Sequence, residues 1–138
     1  MMEWFASYVG LPFQSKGRDR SGLDCWGLVR LVYTEQLKVD LPSYGEISAF
    51  DLVRVSREIG SALSSSGWLE CMPKKFACAV MTAGQDDRRL HRAPFHVGIY
   101  VDDTRILHVE PATDAAVVRA THPSISRRIL GCYEYAPG

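Results

Sequence analysis

The sequence predicts an α+β domain, with helix patterns in the first half of the chain and short antiparallel strands in the second. Two observations predict it. After Asp24 the apolar residues recur at helical spacing, and from Phe95 onward they alternate at the period of two that strands require. Helices followed by a run of strands favour segregated α+β packing over an alternating α/β sheet.

The elements follow in order. The chain has 138 residues, the size of one domain, taken as 1–138. Glu3 to Val9 is expected to form a short helix that Gly10-Leu11-Pro12 breaks. Ser15 to Gly22 is polar and glycine-containing and is expected to be a loop. Asp24 is a natural N-cap, and Cys25, Leu28, Val29, Val32 and Tyr33 fall on one helical stripe. That helix should end near Leu37 or Lys38, before Pro42. Ser48 caps a second expected helix, with Leu52, Val53, Ile59, Ala62 and Leu63 inward. Trp68 to Met72 and Phe76 to Thr82 are expected strands, and 84–94 an exposed charged loop.

The clearest strand is Phe95 to Val101. Its odd positions are apolar, and His96, Gly98 and Tyr100 share the other face. Asp102-Asp103 turns the chain, Arg105 to Glu110 returns, and Ala116 to Ala120 and Ile129 to Tyr135 supply two more strands. A three-residue turn over 101–103 sets Tyr100 opposite Thr104, and therefore His96 opposite His108 on a shared face. A one-residue slip would separate them.

Composition removes several function classes. Hydrophobic residues make up 46% and charged residues 23%, a globular balance. Sixteen basic residues offset sixteen acidic ones, so no basic field exists to hold a nucleic acid. No apolar run is long enough to cross a membrane, and Glu3 stands where a secretory signal would carry positive charge, so no signal peptide is expected. Cys25, Cys71, Cys78 and Cys132 form no C-x-x-C pair and are expected to be free thiols. Cys71, Cys78, His91 and His96 match no compact zinc spacing, so no metal site is expected.

The chemistry concentrates at Cys25. At the opening of a helix, unpaired N–H groups and the helix dipole favour an anion, which pushes a thiol toward thiolate. The same N–H groups suit the oxyanion of an attacked acyl carbon. A cysteine nucleophile needs an imidazole base, and that base needs an orienting partner. His96 and His108 fit those two roles. His91 and His122 are expected to be structural or solvated.

These residues resemble a known family. Gly10-Leu11-Pro12-Phe13 resembles the G-x-P-Y element of NlpC-type cysteine peptidases. Leu23-Asp24-Cys25-Trp26-Gly27-Leu28-Val29 is similar to their nucleophile motif, His96-Val97-Gly98-Ile99-Tyr100 to their base strand, and Arg105-Ile106-Leu107-His108 to the strand carrying the third catalytic residue. Arg128 to Tyr133 resembles their closing strand. The matches run in the family's order, Cys before His before His, which argues against the circularly permuted relatives.

The resemblance implies a papain-like fold, with the nucleophile helix packed on a small antiparallel sheet and an inserted helical segment within 43–94. It implies hydrolysis of an amide in the peptide stem of bacterial peptidoglycan, typically between D-glutamate and a diamino acid. Cys25 would attack, His96 would carry the proton and His108 would orient His96, with Asp24, Phe13 and Trp26 around the substrate and oxyanion. No cofactor is implied. The D-C-W-G-L-V-R variant is similar to peptidase domains of bacteriophage tail tips and gene transfer particles. That likeness implies other tail-tip or hub proteins as partners, a place in the virion tail, and action at the bacterial cell wall.

Two departures qualify the likeness. Phe13 lacks the hydroxyl of the family's tyrosine. The interval from Cys25 to His96, 71 residues (96 − 25), is long for the family's compact members, so 43–94 is expected to contain an insertion, with Lys74-Lys75-Phe76-Ala77 where a strand usually begins with Gly-Asp. They leave a second reading open, a structural tail-tip subunit with a peptidase fold and little activity. A third keeps the Cys–His pair for an acyltransferase or another amidase.

Overall fold

In the computed structural model, residues 3–41, 68–82, 96–111 and 113–135 are described. Their centre is a six-stranded antiparallel sheet built from β3 (Trp68–Glu70), β4 (Cys78–Met81), β5 (His96–Tyr100), β6 (Arg105–Glu110), β7 (Thr113–Arg119) and β8 (Ile129–Tyr135). The spatial order is β3-β8-β4-β5-β6-β7, so the last strand returns to lie between β3 and β4. A separate hairpin pairs β1 (Arg18–Asp19) with β2 (Gly22–Leu23). It lies in the stretch expected to be a loop, and its two-residue strands are too short to show an alternating pattern.

Helix α1 (Cys25–Val32) starts where its cap requires. Asp24 has extended backbone, and its carboxylate accepts a hydrogen bond from the Gly27 N–H. The periodic stripe is the buried face, with Leu28, Val29 and Val32 fully buried and Tyr33 nearly so. Burying each such side chain stabilises the fold by about 1.5–3 kcal/mol. The helix widens into a π turn over Tyr33–Leu37 and stops at Lys38, which is left-handed with φ 58°. The expected end near Leu37 or Lys38 agrees with this. The Tyr33 hydroxyl donates to the Phe76 carbonyl at 2.5 Å, tying the helix end to the approach to β4.

Other elements differ in detail. The expected helix over 3–9 is a single 3-10 turn, Ala6–Tyr8. Beyond it Gly10 N–H donates to the Ala115 carbonyl and Ala115 N–H to the Leu11 carbonyl, strapping this segment onto β7. The expected second helix after Ser48 and the loop over 84–94 lie outside the described residues. Within 43–94, the described part supplies β3 and β4, the latter at the middle of the sheet.

Both faces of the sheet are covered. On one, α1 packs against Cys78, Val80, Val97, Ile99, Leu107 and Val109. On the other, Ala79, Met81, Tyr100, Ile106 and Ile125 form a second cluster. Burial on both sides explains why β4 reads as an unbroken apolar run, Cys78 to Met81. Among the described residues, no helix is long and apolar enough to cross a membrane.

The start of α1 is seated against the β1–β2 hairpin with little clearance. A β-carbon on Gly27 would lie 2.1 Å from the Gly17 carbonyl oxygen. Gly27→Ala is therefore expected to lower stability by at least about 2 kcal/mol, read as a shift of the urea midpoint. An unchanged midpoint would show that the hairpin can move away.

Candidate active site

The site forms where β5 and β6 part. Their ladder pairs Tyr100 with Ile106 and Ile99 with Leu107. This corrects the register expected from a three-residue turn, which placed Tyr100 opposite Thr104. Asp102 makes the turn longer, because its carboxylate accepts from the N–H groups of both Thr104 and Arg105. The slip is two residues, and an even slip keeps every side chain on its expected face. His96 and His108 therefore still meet, as diagonal rather than opposed neighbours.

Gly98 makes that diagonal approach possible. A β-carbon there would lie 2.8 Å from Ile106 Cγ2 and 3.1 Å from His108 Cβ. Without one, the His108 ring leans past β5, and His96 Nε2 and His108 Nδ1 are hydrogen-bonded at 3.0 Å. The rings meet edge to face, 5.2 Å between centroids. Both residues are buried. Using Nε2 in this way leaves His96 Nδ1 as the ring nitrogen for a reacting group.

Cys25 stands at the first position of α1. The backbone N–H groups of Val97 and Trp26 both face its sulfur, so the thiol lies beside the residue that follows His96. Trp26 is itself packed in the core under the helix. Asp24 caps the helix at Gly27 N–H, 2.8 Å, and pairs with Arg18 Nη1, 2.6 Å. Phe13 is half-buried, bridged to Leu23 in parallel, and packed at the edge of the core that α1 shares with the sheet. His122 is exposed and contacts Ser124, away from this site. His91 lies outside the described residues.

The electrostatics correct one expectation. The helix N-terminus was expected to push Cys25 toward thiolate. Instead burial, followed by the neighbouring Asp24 carboxylate, raises its pKa to about 12, against the smaller lowering by the Val97 and Trp26 N–H groups and Arg18. Only 4% of Cys25 is exposed, so loss of water outweighs the partial charge of the helix end. Burial also lowers His96 to about 3, with the carboxylate of Glu110 opposing that shift. At rest the thiol and the imidazole are both neutral.

Sequence reasoning missed Glu110 and Arg128. Glu110 Oε1 lies 3.5 Å from His108 Nδ1. Arg128 donates to both Glu110 oxygens, at 3.0 and 2.8 Å, and to the Thr82 carbonyl at 2.9 Å. Among the described residues, His96, His108 and Glu110 are the one group with ligand atoms close enough to hold a cation, within 4.8 Å of one another. Arg128 engages both carboxylate oxygens and the two histidine nitrogens engage each other. The donor set is that of a hydrogen-bonded relay.

Comparison with known proteins places the fold. No family model matches the sequence. The murein DD-endopeptidase MepS/murein LD-carboxypeptidase of Escherichia coli K12 is 23% identical over 128 residues, covering 93% of this chain and 57% of that protein. Its counterpart in the O157:H7 strain gives the same figures. The chain thus spans little more than half the length of these relatives. Among solved structures, the NlpC/p60 domain of the peptidoglycan hydrolase SagA superposes with a TM-score of 0.58 at 17% identity, over 93% of this chain and 89% of that one. A lipoprotein-like NLP/P60 protein of Staphylococcus aureus gives 0.65 at 18% identity, over 96% and 39%. The fold is that of the NlpC/p60 domains, a papain-like α+β fold.

The opposing pulls on Cys25 are separable by mutation. Asp24→Asn keeps a good N-cap but removes the charge that raises the thiol pKa. At a fixed pH near 8 it is expected to speed iodoacetamide labelling of Cys25 several-fold, measured by peptide mass mapping. Equal or slower labelling would show that Asp24 does not hold the thiol protonated.

Proposed function

We propose that this chain is a cysteine peptidase that hydrolyses an amide bond in the peptide stem of bacterial peptidoglycan. The observation that carries the reading is the buried, hydrogen-bonded His96–His108 pair, with the Cys25 thiol against the N–H of Val97, the residue that follows His96. The likeness to a murein endopeptidase and to NlpC/p60 hydrolase domains supports the substrate.

The chemistry follows from the geometry. As the Cys25 sulfur attacks the amide carbonyl, His96 Nδ1 takes the thiol proton, and His108 holds the ring and its tautomer. The Trp26 and Val97 N–H groups beside the sulfur are donors for the oxyanion. The C–N bond then breaks, the departing amine takes the proton from His96, and a thioester remains on Cys25. His96 next takes a proton from water, the hydroxide attacks the thioester, and the thiol regains that proton as the stem carboxylate leaves.

The likeness of D-C-W-G-L-V-R to phage tail-tip domains supports a finer proposal. The enzyme would act at the cell wall as part of a virion tail, docked on other tail-tip or hub proteins. Two features favour a second reading, a structural tail-tip subunit with weak activity. Cys25 and His96 are almost fully covered, at 4% and 6% exposure, and Phe13 carries no hydroxyl.

Purified protein is expected to release stem-peptide fragments from cell-wall digests, seen by mass spectrometry. Cys25→Ala should lower the rate by at least about a thousandfold. Full cleavage by Cys25→Ala would exclude the peptidase mechanism. Fully infectious Cys25→Ala particles would favour the structural reading.

A further inference from the structure

We propose that Glu110, clamped by Arg128, is a positioning residue of this site that counters the positive charge developing on the His96–His108 pair when the Cys25 proton arrives. The inference rests on the peptidase reading above and adds a fourth and a fifth residue to it.

The geometry is specific. Glu110 follows His108 by two residues on β6, so both side chains leave the strand on one face. The ladder with β7 shifts by one residue between them, from His108 opposite Ala116 to Glu110 opposite Thr113. Such irregularities re-aim side chains. The carboxylate ends 3.5 Å from His108 Nδ1, the same nitrogen that meets His96 Nε2. Arg128 fixes it from the far side with two hydrogen bonds and is itself anchored on the Thr82 carbonyl. Three segments distant in sequence thus converge behind the base.

The charged surroundings give the sign. The charged groups that act on the pair are Glu110 on β6 and Arg128 ahead of β8, while Asp24 and Arg18 act on Cys25 at the start of α1. The residues facing the histidines from β4 and β7, Met81 and Ala116, do not titrate. For both histidines Glu110 raises the pKa more than Arg128 lowers it. The ion pair therefore does not cancel the carboxylate's pull. A charge formed by proton transfer in a buried place needs a fixed counter-charge, because water is not there to supply one.

The test is Glu110→Gln, which keeps shape and an acceptor for Arg128 but loses the charge. On stem-peptide substrate, kcat is expected to fall about tenfold with KM little changed. The limb of the pH–rate profile that follows the imidazole should move to lower pH, since a group favouring the imidazolium is gone. In parallel, histidine ring 15N shifts are titrated in Cys25→Ala protein with and without Glu110→Gln, and the midpoints should fall. If Glu110→Gln does not fold, Glu110→Gln with Arg128→Met removes the stranded guanidinium and is read in the same way. Unmoved limb and midpoints would overturn the role of Glu110. If the wild-type protein cuts no stem peptide, the peptidase reading fails, and the 15N titration alone still decides whether Glu110 charges the pair.

Discussion

A hydrogen bond between two buried imidazoles, His96 Nε2 to His108 Nδ1, is the contact on which the rest of this structure depends. Neither ring meets much water, so each must find its partner within the protein. Several features serve that contact. The β5–β6 ladder ends at Ile99 and Leu107. Gly98 leaves room for a ring to lean across. Helix α1 starts at Asp24 and delivers Cys25 beside the Val97 N–H. The tight seat of Gly27 against Gly17 fixes where that start lies.

Burial gives this arrangement its character. It disfavours both members of a thiolate–imidazolium pair, raising Cys25 and lowering His96. A site of this kind does not store charge at rest. It forms charge during reaction, so its performance depends on fixed dipoles and counter-charges around the proton's path. The N–H groups of Trp26 and Val97 stand on the sulfur side, and the Glu110–Arg128 pair stands on the imidazole side. Cys25 is almost fully covered, so any substrate must displace what shields it before the sulfur can be reached.

Much of this was legible in the sequence where the signals are local. The stripe of Cys25, Leu28, Val29 and Val32 behind an Asp cap specifies α1, because cap and periodicity both act within a few residues. The alternation around His96 specifies β5, and the parity of its strand put both histidines on one face despite the misjudged turn. What was not legible depends on tertiary placement. The Asp102 side chain lengthened the turn and slid the register by two. The thiol's environment is set by how deeply α1 packs, which a dipole argument on one helix does not contain. Glu110 and Arg128 are 18 positions apart and meet because the chain returns to insert β8 between β3 and β4.

The central claim is that Cys25 attacks the stem peptide and carries its acyl part. The most direct measurement is an acid quench of protein and stem peptide during turnover, followed by intact and peptide mass spectrometry. The account predicts a thioester-linked acyl fragment on Cys25 that disappears on treatment with hydroxylamine. Cleaved stem peptide with no adduct on Cys25, or an adduct mapped to Cys71, Cys78 or Cys132 instead, would contradict it.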